Sequence, residues 1–112
     1  MNNTLEIKIQ DLKNLNKEEY LLVDIREEAA FAHGFIPNAV NIPLSRLREK
    51  PELLPNDKKI ILYCAKGILS YEAAEELEEK GYDVAHLAGG YGAWLLDSFS
   101  TEERYPEIEK KH

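Results

Sequence analysis

One cysteine, Cys64, stands in the segment YCAKGILS, Tyr63–Ser70. It ends an apolar run, Ile60–Cys64, that reads as a buried strand. A short loop, Ala65-Lys66-Gly67-Ile68-Leu69, then leads into a helix that opens at Ser70. In an open α/β sheet, ligands bind just beyond the carboxyl ends of the strands. A sulfur placed there faces the amides of a tight loop and the positive end of a helix dipole, and both stabilise an anion. The anion cysteine forms is a thiolate. A free cysteine titrates near about 8.5, and such surroundings lower it to roughly 3.5–7.5. Gly67 permits the sharp turn because glycine accepts positive φ. Lys66 brings the only formal positive charge of the loop. The expected chemistry is nucleophilic attack by sulfur. The competing reading is core filler, since free cysteine is among the most buried residue types. The order strand, cysteine, tight loop, helix favours the thiolate but leaves its electrophile open.

Other residues offer less. Asp24 ends a second apolar run, and Arg26 follows two positions on. They are expected to pair with each other or to bind nearby loop carbonyls, a structural role as readily as a catalytic one. His33 sits in a loop beside Gly34, and His86 lies within a predicted strand. Neither has a partner at ligand spacing, so both read as structural. His112 is terminal. Gly89-Gly90 is too short for a nucleotide motif and reads as a turn into a helix carrying Trp94, itself expected in the core. With a single cysteine, an intramolecular disulfide is impossible and no thiolate metal site is expected.

The elements that must position these residues are legible as patterns. Apolar runs at Tyr20–Asp24, Ala39–Ile42, Ile60–Cys64 and Val84–Leu87 predict buried strands, and the alternating Leu5–Ile9 predicts an edge strand. Helices are expected between them: one capped by Asp11 and carrying Leu12 and Leu15, Glu27–Ala32, Arg46–Glu49 capped by Ser45, and Ser70–Lys80. The last presents Ala73, Ala74 and Leu77 on one face, covers the rest with glutamates and stops at Gly81. Strands alternating with helices imply an α/β fold with a parallel sheet and right-handed crossovers. Continuous runs such as YLLVD fit strands covered on both faces. The organisation expected is one domain over residues 1–97, with a polar tail, 98–112, as an added segment or docked helix.

Composition excludes several function classes. A chain of 112 residues holds one domain. Fourteen basic against 21 acidic residues give a net charge of −7, which opposes binding to nucleic acid or an anionic membrane. The longest apolar run is far short of the about twenty residues of a membrane helix. The amino terminus shows neither the basic nor the apolar part of a secretion signal, so the expected compartment is the cytoplasm.

Three segments together resemble the rhodanese family of sulfurtransferases, over about residues 5–96. LLVDIREEAAFAHGFIPNAVNIP, Leu21–Pro43, is similar to the family's first signature, D-x-R-x-x-x-E-F-x-x-G-H-I-P-G-A-x-N-I-P. YCAKGILS is similar to its active-site loop, C-x-x-G-x-R-S, and LAGGYGAW, Leu87–Trp94, to its closing G-G-x-x-x-W. The resemblance implies a single rhodanese-like α/β domain with a five-stranded, mostly parallel sheet and helices on both faces. It also implies a mechanism. Cys64 attacks the outer sulfur of thiosulfate, polysulfide or a persulfide. The resulting persulfide is cradled by the amides of Ala65, Lys66, Gly67, Ile68, Leu69 and Ser70. A thiol or cyanide then removes the sulfur, in ping-pong fashion. No metal or organic cofactor is implied. The partners are small-molecule donors and acceptors, with a sulfur-accepting protein as a further option.

This chain departs from the pattern at Leu69, where the family often has an arginine that binds the donor's anionic group. Ile68 and Leu69 make the loop apolar, which favours a less charged donor. Phe35, Asn38 and Ala30 replace residues of the first signature that read as structural. Two alternatives remain in the sequence. A related phosphatase would need a longer loop ending in arginine, and the residue six after Cys64 is Ser70. A non-catalytic binding or regulatory module is the other, favoured by Leu69 and opposed by the presence of Cys64 and Gly67.

Overall fold

The computed structural model describes residues 5–103. Five strands, β1 (Glu6–Ile7), β2 (Tyr20–Asp24), β3 (Val40–Asn41), β4 (Lys59–Tyr63) and β5 (Val84–Leu87), form one sheet in the order β1-β5-β4-β2-β3. All four strand pairs are parallel. The helices are α1 (Ile9–Lys13), α2 (Glu28–His33), α3 (Leu44–Glu49), α4 (Leu69–Glu79) and α5 (Gly90–Glu103).

The central strands are apolar throughout because both sheet faces are covered. Side chains alternate across a strand, and β4 divides accordingly. Ile60, Leu62 and Cys64 pack with Leu47 of α3 and Ala73, Ala74 and Leu77 of α4. Ile61 and Tyr63 face the opposite way, toward Leu12 of α1 and toward Tyr91 and Trp94 of α5. Trp94 is only half-buried there, less enclosed than expected. The parallel register aligns Asp24 with Tyr63 across β2 and β4, so Asp24 and Cys64 lie at one carboxyl edge of the sheet.

Several boundaries differ from the sequence expectation. Asp11 does not cap α1. Lys8 occupies the cap position, and the Asp11 carboxylate accepts the Lys8 backbone N–H from inside the first turn. Ser45 likewise lies within α3, whose first residue is Leu44 and whose cap position is Pro43. The edge strand shrinks to Glu6–Ile7 because α1 begins at Ile9. Helix α5 runs unbroken across the boundary expected at residue 97 and reaches Glu103, and Asp97 within it pairs with Lys13 of α1. The rest of the expected tail, 104–112, lies outside the described residues. No helix among the described residues is long and apolar enough to cross a membrane.

Candidate active site

Cys64 follows directly on β4, and its side chain is buried. The loop after it curls back over the sulfur. Gly67 at φ +92° makes the turn, and the Gly67 N–H then points at the Cys64 Sγ from 3.2 Å. The Ser70 N–H, in the first turn of α4, approaches the same sulfur at 3.4 Å, and the Ser70 Oγ lies 3.4 Å from it. Burial alone pushes the thiol up. The Ser70 hydroxyl and the amides of Ser70, Gly67 and Lys66 outweigh it, so the Cys64 pKa falls below its ordinary value.

The six-amide cradle is expected around a persulfide, whereas the sulfur here is that of the unmodified cysteine. The sulfur's direct partners are Gly67 and Ser70. Lys66 is exposed, and what it gives the sulfur comes from its backbone amide. Ala65 turns its carbonyl away, accepting the Gly92 N–H at 3.0 Å. Ile68 and Leu69 stand at the rim, 64% and 51% exposed, and form an apolar lip beside Tyr71. A bare sulfur reaches only the nearest donors of a loop this size.

The glycine pair is more than the turn expected of it. Gly90 opens α5, whose Tyr91 N–H donates to the Cys64 carbonyl at 2.8 Å. Together with the Gly92–Ala65 bond, this anchors the carbonyls on one side and leaves the amides to face the sulfur. The fit is tight: a Cβ on Gly90 would lie 2.3 Å from the Cys64 carbonyl oxygen, and one on Gly67 would lie 2.8 Å from the Gly89 nitrogen. Gly90 also sits at φ +59°, in the left-handed region. Gly90→Ala is expected to cost roughly 1–3 kcal/mol of stability through overpacking and to raise the thiol pKa as the amides lose aim. Urea denaturation and the pH profile of Cys64 alkylation read the two effects; an unchanged midpoint and profile would mean this contact does not hold the loop.

Asp24 and Arg26 form the ion pair expected of them. The Arg26 Nη2 lies 2.7 Å from the Asp24 Oδ2, and its Nε is within 3.1 Å of both carboxylate oxygens. The guanidinium also donates to the Gly34 carbonyl at 2.6 Å and stacks 4.2 Å over the Tyr91 ring. It thus ties the segment after α2 to the start of α5. Tyr63, fully buried beneath, accepts the Ile36 N–H at 3.0 Å. Burial drives its phenol pKa far up, so it stays neutral.

The two histidines part company. His33 bonds within its own helix, to the Ala29 carbonyl, as a structural residue does. His86 has a hydrogen-bond partner that its sequence spacing does not reveal. Its Nδ1 lies 2.9 Å from the Ser70 Oγ, one hydrogen bond away from the cysteine sulfur. The signal for this was weak, because a four-residue strand does not reveal which face its third residue takes. Among the described residues no group of side chains is arranged to hold a metal ion.

Comparison with known proteins agrees with this geometry. The rhodanese-like domain profile matches residues 9–97. A sulfurtransferase of Allochromatium vinosum is 40% identical over 78 residues, covering 69% of this chain and 73% of that protein. The thiosulfate sulfurtransferase GlpE of Coxiella burnetii is 30% identical over 81 residues, covering 71% and 76%. A rhodanese-related protein from Thermoplasma volcanium, solved by crystallography, superposes with a TM-score of 0.75 at 38% identity, covering 90% of this chain and 94% of its own. The profile match over most of the chain, the sequence identity and the shared fold agree, and the chain belongs to the rhodanese-like domain family.

Proposed function

We propose that this protein is a sulfurtransferase that carries sulfane sulfur on Cys64. The observation that carries the reading is the cysteine sulfur accepting hydrogen bonds from the Gly67 and Ser70 amides, with its pKa lowered in spite of burial. Relatives named as sulfurtransferases support the same class.

The reaction has two displacements. The Cys64 thiolate attacks the outer sulfur of the donor. A new S–S bond forms at Cys64, and the donor's own S–S bond breaks. The leaving group departs with the electron pair, as sulfite from thiosulfate or as a thiolate from an organic persulfide. In the second step cyanide or a thiolate attacks the outer sulfur of the Cys64 persulfide, and Cys64 leaves as thiolate. With no second cysteine in the chain, the persulfide cannot close to an internal disulfide, so its sulfur passes to an outside acceptor.

Donor choice follows from the lip. Ile68 and Leu69 are exposed and apolar, and the protein carries a charge of −7. The apolar lip suits a polysulfide's chain of bare sulfur better than the strongly hydrated sulfonate end of thiosulfate, and the negative charge further favours a less charged low-molecular-weight persulfide over dianionic thiosulfate. Intact mass after brief exposure to each donor, then to cyanide, tests transfer and preference together. One sulfur should be gained, faster from polysulfide, and released as thiocyanate. Leu69→Arg should speed thiosulfate loading roughly tenfold, since a charge-assisted hydrogen bond contributes about 1.5–3 kcal/mol. No gain in that variant would remove Leu69 as the determinant. No sulfur on folded, reduced protein from either donor would favour a binding module instead.

A further inference from the structure

The hydrogen bonds at Cys64 do not end at Ser70. The sulfur lies 3.4 Å from the Ser70 Oγ, and that oxygen lies 2.9 Å from the His86 Nδ1. All three residues are buried. His86 has the same parity on β5 as Val84, which packs on the α4 side of the sheet, and this turns its ring toward the first turn of α4. Its ring makes an edge contact with Tyr71 of α4, centroid to centroid 5.4 Å, and Glu6 of β1 is its registered neighbour. His86 also lines a pocket of about 340 Å³ together with Glu6, Tyr71, Glu72 and Gly89. The pocket borders the cysteine loop through Gly67 and Ile68.

We propose that His86 is a positioning residue that acts through Ser70 as the proton relay of Cys64. The thiol S–H donates to the Ser70 Oγ while the Ser70 O–H donates to the His86 Nδ1. On deprotonation the S–H bond breaks and a new O–H bond forms at Ser70. The original Ser70 O–H bond breaks, and an Nδ1–H bond forms on His86. The imidazolium then loses its Nε2 proton to water, leaving a neutral ring with Nδ1–H. The chain of bonds has reversed, with Nδ1–H donating to Ser70 and Ser70 donating to a thiolate. One proton has left, and no electrons are exchanged. Burial holds the His86 pKa below its ordinary value, with Glu6 opposing, so the ring is a free acceptor at neutral pH and is filled by its own proton as the pH falls. The same relay run backward returns a proton to the sulfur. Acceptor thiols must lose a proton before they attack, and a relay beside the persulfide site suits them better than cyanide.

The inference rests on Cys64 being the reactive thiol, but its test does not require sulfur transfer. The pH profile of iodoacetamide alkylation is measured on the full chain as wild type, His86→Asn, His86→Phe, Ser70→Ala and the double variant Ser70→Ala/His86→Asn. Asparagine keeps a polar atom near Nδ1 but does not take up the proton, and phenylalanine keeps the ring. Each His86 variant should move the thiol midpoint up by about one unit and slow alkylation at neutral pH roughly tenfold. His86→Asn should add nothing once Ser70 is alanine. Folded His86 variants with the wild-type profile would reduce His86 to a structural residue, and an equal shift in the Ser70→Ala background would remove the relay. Wild-type and Cys64→Ser proteins give a second reading by NMR. The His86 imidazole should titrate at different pH values in the two, and a shared midpoint would also overturn the proposal. A shifted profile without any sulfur loading would leave the relay standing and sink the transferase reading alone.

Discussion

Cys64→Ser carries no sulfur after exposure to thiosulfate or polysulfide and releases no thiocyanate when cyanide follows. The expected loss in turnover is on the order of 10⁴-fold or more, the scale of removing the nucleophile from a covalent enzyme. The substitution isolates chemistry from structure. Serine is close to cysteine in size, and the Gly67 and Ser70 amides that meet the sulfur can meet a hydroxyl oxygen as well. The site is buried beside Val23, Leu62 and Ala73, so a stability change of about 1 kcal/mol is the most expected from the lost polarizable atom. What disappears is the nucleophile. The loop lowers the thiol pKa and so raises the thiolate fraction, whereas a hydroxyl has too high a pKa for the same donors to ionise it. An oxygen in that place also cannot form a persulfide. Loading is read by intact mass and thiocyanate by colour. Because the wild-type pKa is lowered, wild-type loading should persist to lower pH than an unperturbed thiol allows and decline as the pH drops through that lowered value. No other thiol exists in the chain, so sulfur gained by Cys64→Ser would show that Cys64 is not the carrier.

The cysteine loop was legible because its signals are local. An apolar run, a cysteine, a glycine at the turn and a helix within six residues define where the sulfur faces before any tertiary contact is known. The central strands were legible for a related reason: parallel strands covered on both faces lose the polar alternation that makes strands ambiguous. The caps of α1 and α3 were not, because Asp11 and Ser45 are good capping residues one turn or less from the true starts, and the chain uses Lys8 and Pro43 instead. His86 and Gly90 were hidden for a third reason. Their partners, Ser70 and the Cys64 carbonyl, are 16 and 26 positions away, and only the strand order β5-β4 brings them together. Sequence pattern showed a histidine in a strand and a glycine in a turn. It could not show that both touch one loop, because that contact is set by strand parity and by the angle at which α5 leaves the sheet.

The same distinction governs the second large effect, Asp24→Ala, in which a pair readable from its spacing has a cost set by its surroundings. Asp24 is fully buried, and Arg26 is 11% exposed at its side chain. The carboxylate accepts the Arg26 Nε, Nη2 and backbone N–H. Removing it leaves a guanidinium held between the Gly34 carbonyl and the Tyr91 face with no counter-charge. Breaking a buried pair from one side costs about 3–5 kcal/mol. For a domain of this size that lowers Tm by roughly 12 °C or more. Urea denaturation should show a lower midpoint with an unchanged slope. Asp24→Asn should cost less, since an amide oxygen still accepts from the guanidinium. Removing both charges, as Asp24→Ala with Arg26→Met, should recover part of the loss, because the uncompensated ion is gone. Recovery in the double variant is the sharper test. A simple cavity left by Asp24 would make the two losses add, whereas a stranded charge makes the second substitution restore stability. A loss under about 1 kcal/mol for Asp24→Ala would place the pair among solvated ones, and its hold on the segment between α2 and α5 would then have to come from Gly34 and Tyr91 alone.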